Sequence, residues 1–126
     1  MSAGHNVQVR FNDLDALGHV GHTAVLVLLE EGRDAMLARN GIDEYVVGRC
    51  SVTYRREIGP SVKSVTVLCH VRELGRSSLT TSERIVDEEG DVFVEAEFRI
   101  VVWDAERRVP RPISDRERAS LQEVKG

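Results

Sequence analysis

Val7, Val9 and Phe11 alternate with Gln8 and Arg10, the two-residue period of a strand with one buried face. The stretch from Asn12 to Gly21 is dense in Asp, Asn and Gly and predicts a loop. From about His22 to Asn40 the period changes. Val25, Leu28, Leu29, Gly32, Ala35 and Met36 fall at helical spacing, and Asn40-Gly41 supplies a C-terminal stop. Ala24 to Leu29 is apolar on every side, so the first half of this helix is expected to be enclosed by protein. Glu30, Glu31, Arg33 and Asp34 let the second half meet water, with Glu30 and Arg33 read as a surface pair at i, i+3.

The rest alternates again. Cys50, Val52, Tyr54 and Ile58 interleave with polar residues, as do Val65, Val67, Cys69 and Val71. Gly59-Pro60-Ser61 is expected to join these two strands as a hairpin, through a connection longer than two residues because Pro60 cannot take a positive φ. A third strand runs from about Ser78 to Val86, turns at Glu88-Glu89-Gly90-Asp91, and a fourth runs from Val92 to Asp104 with Val92, Val94, Ala96, Phe98, Ile100 and Val102 inward. One enclosed helix followed by hairpin-connected strands indicates an α+β fold with an antiparallel sheet. The core is expected over about 7–104, with a polar C-terminal tail over 105–126 that carries a short helix near Asp115 to Val124. The 126 residues suit a single domain, and no repeat or linker divides them.

Composition narrows the function classes. Lys and Arg total 17 against 21 Asp and Glu, a net charge of -4, so the basic surface that binds a phosphate backbone is missing and nucleic acid is not the expected partner. The longest apolar runs fall far short of the roughly 18 residues that span a bilayer, and Met-Ser-Ala-Gly-His-Asn-Val lacks the regions of a signal peptide. A cytoplasmic protein that does not enter the membrane is expected. Cys50 and Cys69 have no metal-type spacing, lie on the apolar faces of their strands, and read as buried packing thiols.

Chemistry concentrates in NDLDALGHVGH, residues 12–22. Asp13, Asp15, His19 and His22 cluster just before a helix whose first N–H groups lack intrahelical partners and carry partial positive charge. A carboxylate near such donors can act as a nucleophile or general base towards an activated carbonyl. The plainer alternative is turn and capping duty. Asp15, His19 and His22 do not form a recognised ligand frame, and no metal is expected. Glu31 lies nine residues past His22, about 13 Å along a helix at ~1.5 Å per residue, too far to share a centre with the first turn. It reads as a brace for the loop.

VRFNDLDALGHVGHTAVLVLLEEGRDAML, followed by a sheet containing ELGRSSL, resembles the hotdog-fold acyl-CoA thioesterases of the 4-hydroxybenzoyl-CoA thioesterase type. The most specific part is Asp-x-Asp-x-x-Gly-His-Val, Asp13 to Val20, which includes Gly18 and His19 and leads into the helix. The resemblance implies a long central helix wrapped by an antiparallel sheet, homodimers or homotetramers with active sites at subunit interfaces, and acyl-CoA as substrate, with coenzyme A part of that substrate and no further cofactor. It implies that Asp15 attacks the thioester carbonyl or activates water to do so, and that backbone N–H around His22 contacts the oxyanion. Arg76, Ser77 and Ser78 match the loop that meets the nucleotide of coenzyme A. Asp13, Gly18, His19 and Glu31 are then loop-supporting. Family members commonly carry Asn-Asn after His-Val and a Tyr three positions later, where this chain has Gly21-His22-Thr23-Ala24-Val25. His22 therefore either donates to the thioester oxygen or fills the space of an amide. Two rivals follow from the altered stretch: a non-catalytic acyl-CoA-binding protein, and an enoyl-CoA hydratase or dehydratase that pairs Asp15 with His22.

Overall fold

The computed structural model describes residues 4–126; the signal-peptide reading rests partly on residues 1–3, which lie outside the described residues. In chain order the elements are β1 (His5–Gln8), a 3-10 turn (Phe11–Asp13), α1 (His22–Arg39), β2 (Tyr45–Tyr54), β3 (Ser64–Leu74), β4 (Ser78–Val86), β5 (Val92–Asp104), β6 (Val109–Pro110) and α2 (Asp115–Gln122). All strand pairs are antiparallel. The sheet order is β1-β3-β4-β5-β2, with β6 on the end of β5, and α1 lies across one face over β1, β3 and β4. This is the α+β hotdog arrangement. Among the described residues no helix is long and apolar enough to cross a membrane.

Alternation placed the inward side chains correctly on β3 and on β5 from Val94 onward, where Val65, Val67, Val94, Ile100 and Val102 are all buried; at the start of β5 a bulge buries Phe93 and leaves Val92 half-buried. It misassigned one neighbour. β2 and β3 do not form a hairpin: β2 pairs with β5, Cys50 opposite Phe98 and Tyr54 opposite Val94, while β1 takes the edge of β3. The connection between them cannot turn straight back. Ile58 within it is buried and its carbonyl accepts the Val20 N–H at 2.9 Å, so the chain is tied to the loop before α1 and crosses the sheet end instead. Phe11 also leaves the strand period. Its 3-10 turn is closed by Asp13, which accepts from Arg10 N and Nε at 2.8 and 3.2 Å, and the ring is 87% exposed.

The buried surface of α1 is a stripe along its whole length: Val25, Leu28, Leu29, Gly32, Arg33, Met36 and Leu37. The first half is not enclosed, since Val27 remains 42% exposed, because the sheet covers one side of the helix only. Gly32 is the point of closest approach. A Cβ there would stand 2.6 Å from Val67 Cβ and nearer still to Cγ1, so only glycine lets the helix lie this close to β3.

Arg33 is not paired with Glu30 at the surface. It is buried, donates from Nε and Nη2 to Glu83 on β4 at 2.8 and 3.2 Å, and stacks on Phe98 with 3.8 Å from Cζ to the ring centroid. Burial opposes its charge, yet the Glu83 carboxylate outweighs that and raises its pKa. Thr81 donates to the same carboxylate at 2.5 Å, and Cys69 lies 3.8 Å away with its thiol pushed up by burial and by Glu83. Every buried charge here is met, which a low-dielectric interior requires. Cys50, expected to be buried, is exposed, because β2 extends beyond the cover of α1.

The polar run after Asp104 folds back onto the core. Ile113 and Leu121 are buried, Val124 and Val71 are joined by a backbone hydrogen bond of 3.0 Å, and α2 begins with a capping box between Ser114 and Glu117.

Gly32→Ala is expected to destabilise the protein by about 2 kcal/mol through overpacking, read as a lower urea midpoint at unchanged slope. A second expectation concerns pH. Two hydrogen bonds from Arg111, at 2.8 and 2.7 Å, hold Glu117 at about 2 instead of its ordinary 4.5. A depressed carboxylate stabilises fully above its unfolded value and loses that contribution as pH falls through the folded one. The melting-temperature gap between wild type and Glu117→Gln should therefore be greatest above pH 4.5 and close towards pH 2.

Candidate active site

The loop between β1 and α1 is stitched by its own backbone. Asp15 N–H donates to His19 O at 2.8 Å, Gly18 N–H to Asp15 O at 3.0 Å, and Gly21 N–H to Asp13 O at 3.0 Å. Gly18 holds a φ of +79°, which a side chain would strain, and this permits the tight return after Leu17. Asp13 anchors the entry through Arg10, whose Nη2 also reaches Glu31 Oε2 at 2.9 Å, so Glu31 on α1 and Asp13 in the loop share one guanidinium. The two carboxylates raise the Arg10 pKa.

Asp15 sits where the returning loop meets α1. Its Oδ1 accepts the Leu17 N–H at 2.9 Å and its Oδ2 lies 3.0 Å from His19 Nε2, with the side chain 37% exposed. The neighbouring helix start is open. The N-cap of α1 is Gly21 in extended conformation with no side chain to satisfy the first-turn N–H groups, and Asp15 Oδ2 lies 3.7 Å from where a Gly21 Cβ would be. A carboxylate beside uncapped amide donors can meet both the attacking and the charge-accepting needs of acyl transfer.

A cavity of about 460 Å³ adjoins this point, floored by Val20, Val25, Ile58 and Val94. His19, His22 and Tyr54 line its polar side. Asp15 is not on the cavity wall and meets it through His19, which is. His22 turns to Tyr54, its Nδ1 in a close hydrogen bond with the phenol and the rings edge-to-face at 5.7 Å, while Asp15 engages His19 instead. Burial raises the Tyr54 pKa, with Cys50 adding to it. His19 reaches a second carboxylate, Glu57, with 3.2 Å between Nδ1 and Oε2. Among the described residues no group of three or more His, Cys, Asp or Glu side chains is placed to hold a metal ion.

Arg76, Ser77 and Ser78 lie elsewhere. They form the β3–β4 turn, where Arg76 O accepts Ile113 N–H at 2.8 Å, Ser77 O accepts Val102 N–H at 2.8 Å, and Ser78 Oγ accepts from Arg99 at 3.4 Å. Ser78 pairs with Val101, whereas Tyr54 pairs with Val94. The turn and the cavity are thus about 23 Å apart along β5 at ~3.3 Å per residue, and one protomer does not bring them together. Tyr54, Glu57 and Arg10 were not singled out from the sequence. Tyr54 carried a signal, its place in the β2 alternation; Glu57 carried none, since its partner is 38 positions away.

A family model described as thioesterase-like superfamily matches residues 9–123. Among solved structures, a thioesterase from Thermus thermophilus complexed with coenzyme A and Zn is 28% identical, covering 94% of this chain and 96% of that one at a TM-score of 0.83. A predicted thioesterase from Bacillus stearothermophilus is 26% identical over 98% of this chain and 96% of its own, with a TM-score of 0.85. A thioesterase superfamily protein from Jannaschia sp. CCS1, 17% identical over 98% and 93% of the two chains with a TM-score of 0.88, shares the fold. No curated protein sequence matches.

Proposed function

The chain belongs to the thioesterase-like superfamily and is a thioester hydrolase, and from that premise we propose that it hydrolyses an acyl-CoA through Asp15, with first-turn amides of α1 near His22 holding the oxyanion. The observation that carries this reading is the Asp15 carboxylate beside the uncapped Gly21 end of α1. Asp15 either attacks the carbonyl, giving a mixed anhydride and coenzyme A thiolate, or takes a proton from the attacking water. In both routes negative charge develops on the carbonyl oxygen and is met by dipoles already in place. A thioester has less resonance stabilisation than an amide, so one carboxylate and aligned donors suffice. His22, hydrogen-bonded to Tyr54, flanks the acyl cavity, and Asp13, Gly18, His19 and Glu31 keep the loop in register.

Coenzyme A as the thiol portion is supported by the relative solved with it, and Arg76, Ser77 and Ser78 offer a guanidinium and hydroxyls suited to its phosphates. They lie about 23 Å from the cavity along β5 within one protomer at ~3.3 Å per residue, and we propose that a neighbouring copy brings its own Arg76 to Ser78 to the thiol portion. The open edge of β2, with Val46 and Val47 exposed, gives a second reason for a homodimer or homotetramer. We place the protein in the cytoplasm, where its two free cysteines stay reduced.

Asp15→Asn should lower kcat for acyl-CoA hydrolysis by roughly 100-fold or more, the scale of a lost general base, while the melting temperature stays within a few degrees; unchanged thiol release would refute the assignment. Light scattering at micromolar concentration should return at least twice the mass of one chain, and a monomer mass would overturn the assembly.

A further inference from the structure

Tyr54 lines the cavity beside the start of α1, and its hydroxyl is hydrogen-bonded to His22 Nδ1 with the two rings edge-to-face at 5.7 Å. A phenol oxygen carries one proton and two lone pairs, and the contact with His22 uses only one of these, whichever partner donates. At least one lone pair is therefore left to accept a further hydrogen bond. We infer that Tyr54 is a specificity-determining residue that selects acyl groups with a hydroxyl close to the thioester carbonyl, a 3-hydroxyacyl chain, by accepting from that hydroxyl. The inference rests on the reading that the carbonyl of an acyl-CoA is held at the first turn of α1.

The rest of the cavity leaves this role to Tyr54. Its floor of Val20, Val25, Ile58 and Val94 is aliphatic surface that suits a hydrocarbon chain and opposes a charged donor such as an ammonium group. The charged groups at the wall are engaged. Arg55 donates to Glu95 at 3.0 and 2.7 Å, Arg56 pairs with Asp87 while stacking on Phe93, and Glu57 lies 3.2 Å from His19. Burial raises the Tyr54 pKa, so a hydroxyl and not a phenolate faces the chain. Where the substrate hydroxyl must sit follows from His22, the first residue of α1. The ring that bonds Tyr54 and the N–H at the start of the helix belong to the same residue, which puts the phenol oxygen roughly 6–7 Å from that nitrogen. Two hydrogen bonds and the four-bond stretch O=C–C–C–O bridge such a gap. A hydroxyl at the far end of a long chain lies beyond it.

Thiol release is compared for butyryl-CoA and octanoyl-CoA and for both enantiomers of the 3-hydroxy derivative of each, at whichever chain length is hydrolysed faster. In wild type the better hydroxylated ester should exceed the plain one in kcat/KM by about fivefold, the size of one neutral hydrogen bond. One enantiomer should exceed the other by a similar factor, because a single acceptor fixed on one wall is reached from one side of the chain only. Tyr54→Phe removes the hydroxyl from a side chain that is 48% exposed, so the fold should persist. In that variant both ratios should fall to about one, since ratios of kcat/KM report differential binding of the transition states. A wild type without preference for the hydroxylated ester, equal rates for the two enantiomers, or ratios that Tyr54→Phe leaves unchanged overturns the proposal while the acyl-CoA reading stands. Thiol release from none of the esters instead overturns that reading, and this inference with it.

Discussion

The contact of α1 with β3 at Gly32 sets the position of everything near the loop. A helix carries its own N-terminus wherever its axis is placed, and this axis is placed by a glycine pressed against Val67. One side chain is missing from the interface, so helix and sheet approach more closely than any Cβ allows. Next to that contact Arg33 reaches across to Glu83 and lies flat on Phe98, which ties the helix to β4 and β5 with directional bonds. Apolar packing gives the attraction and the ion pair gives the register. The cluster continues through Tyr45, which donates to Asp34 and whose pKa is raised by burial and by that carboxylate, so the polar groups beneath α1 satisfy one another.

With the axis held, the loop before it is brought to a defined place by main-chain bonds. Val20 is tied to Ile58, Gly21 to Asp13, and Asp15 to His19. The result is an electropositive helix start without a side-chain cap and an acidic side chain whose oxygens are held by Leu17 and His19. The open end is a cost in helix stability, since capping side chains normally satisfy those donors. Such donors are what charge stabilisation during acyl transfer uses, the role proposed for them above.

The protomer is unequal on its two sides. β1, β3 and β4 lie under α1, while β2 at the far edge faces outward on nearly every residue. Cys50, Val52 and Tyr54 share the face of Phe98, Ala96 and Val94; Val52 is half-buried against the core, whereas Cys50 and Tyr54 at its two sides are exposed. Tyr54 stands at the end of this strip and bonds to His22 at the cavity. The edge and the cavity thus meet at one residue, so whatever covers the first also borders the second.

The chain's periodicities, read alone, were enough to locate the long helix and the inward faces of β3 and of β5 beyond its bulge, because those faces are set by spacings of two to four residues. The Asn40-Gly41 stop was legible for the same local reason: Gly41 takes a φ of +84° and the Ile42 N–H closes back on Leu37. The acidic loop and its helix were legible as one unit because they are contiguous. Which strands became neighbours was not, since alternation records a face and never a partner, and so β2 was placed beside β3 when it lies beside β5. Arg33 looked like a surface charge because the carboxylate that neutralises it is 50 positions away. Glu57 meeting His19, and Arg76 to Ser78 lying at the far end of β5, were likewise decided only when distant segments came together; they depend on strand order and chain crossing, which short-range spacing does not encode.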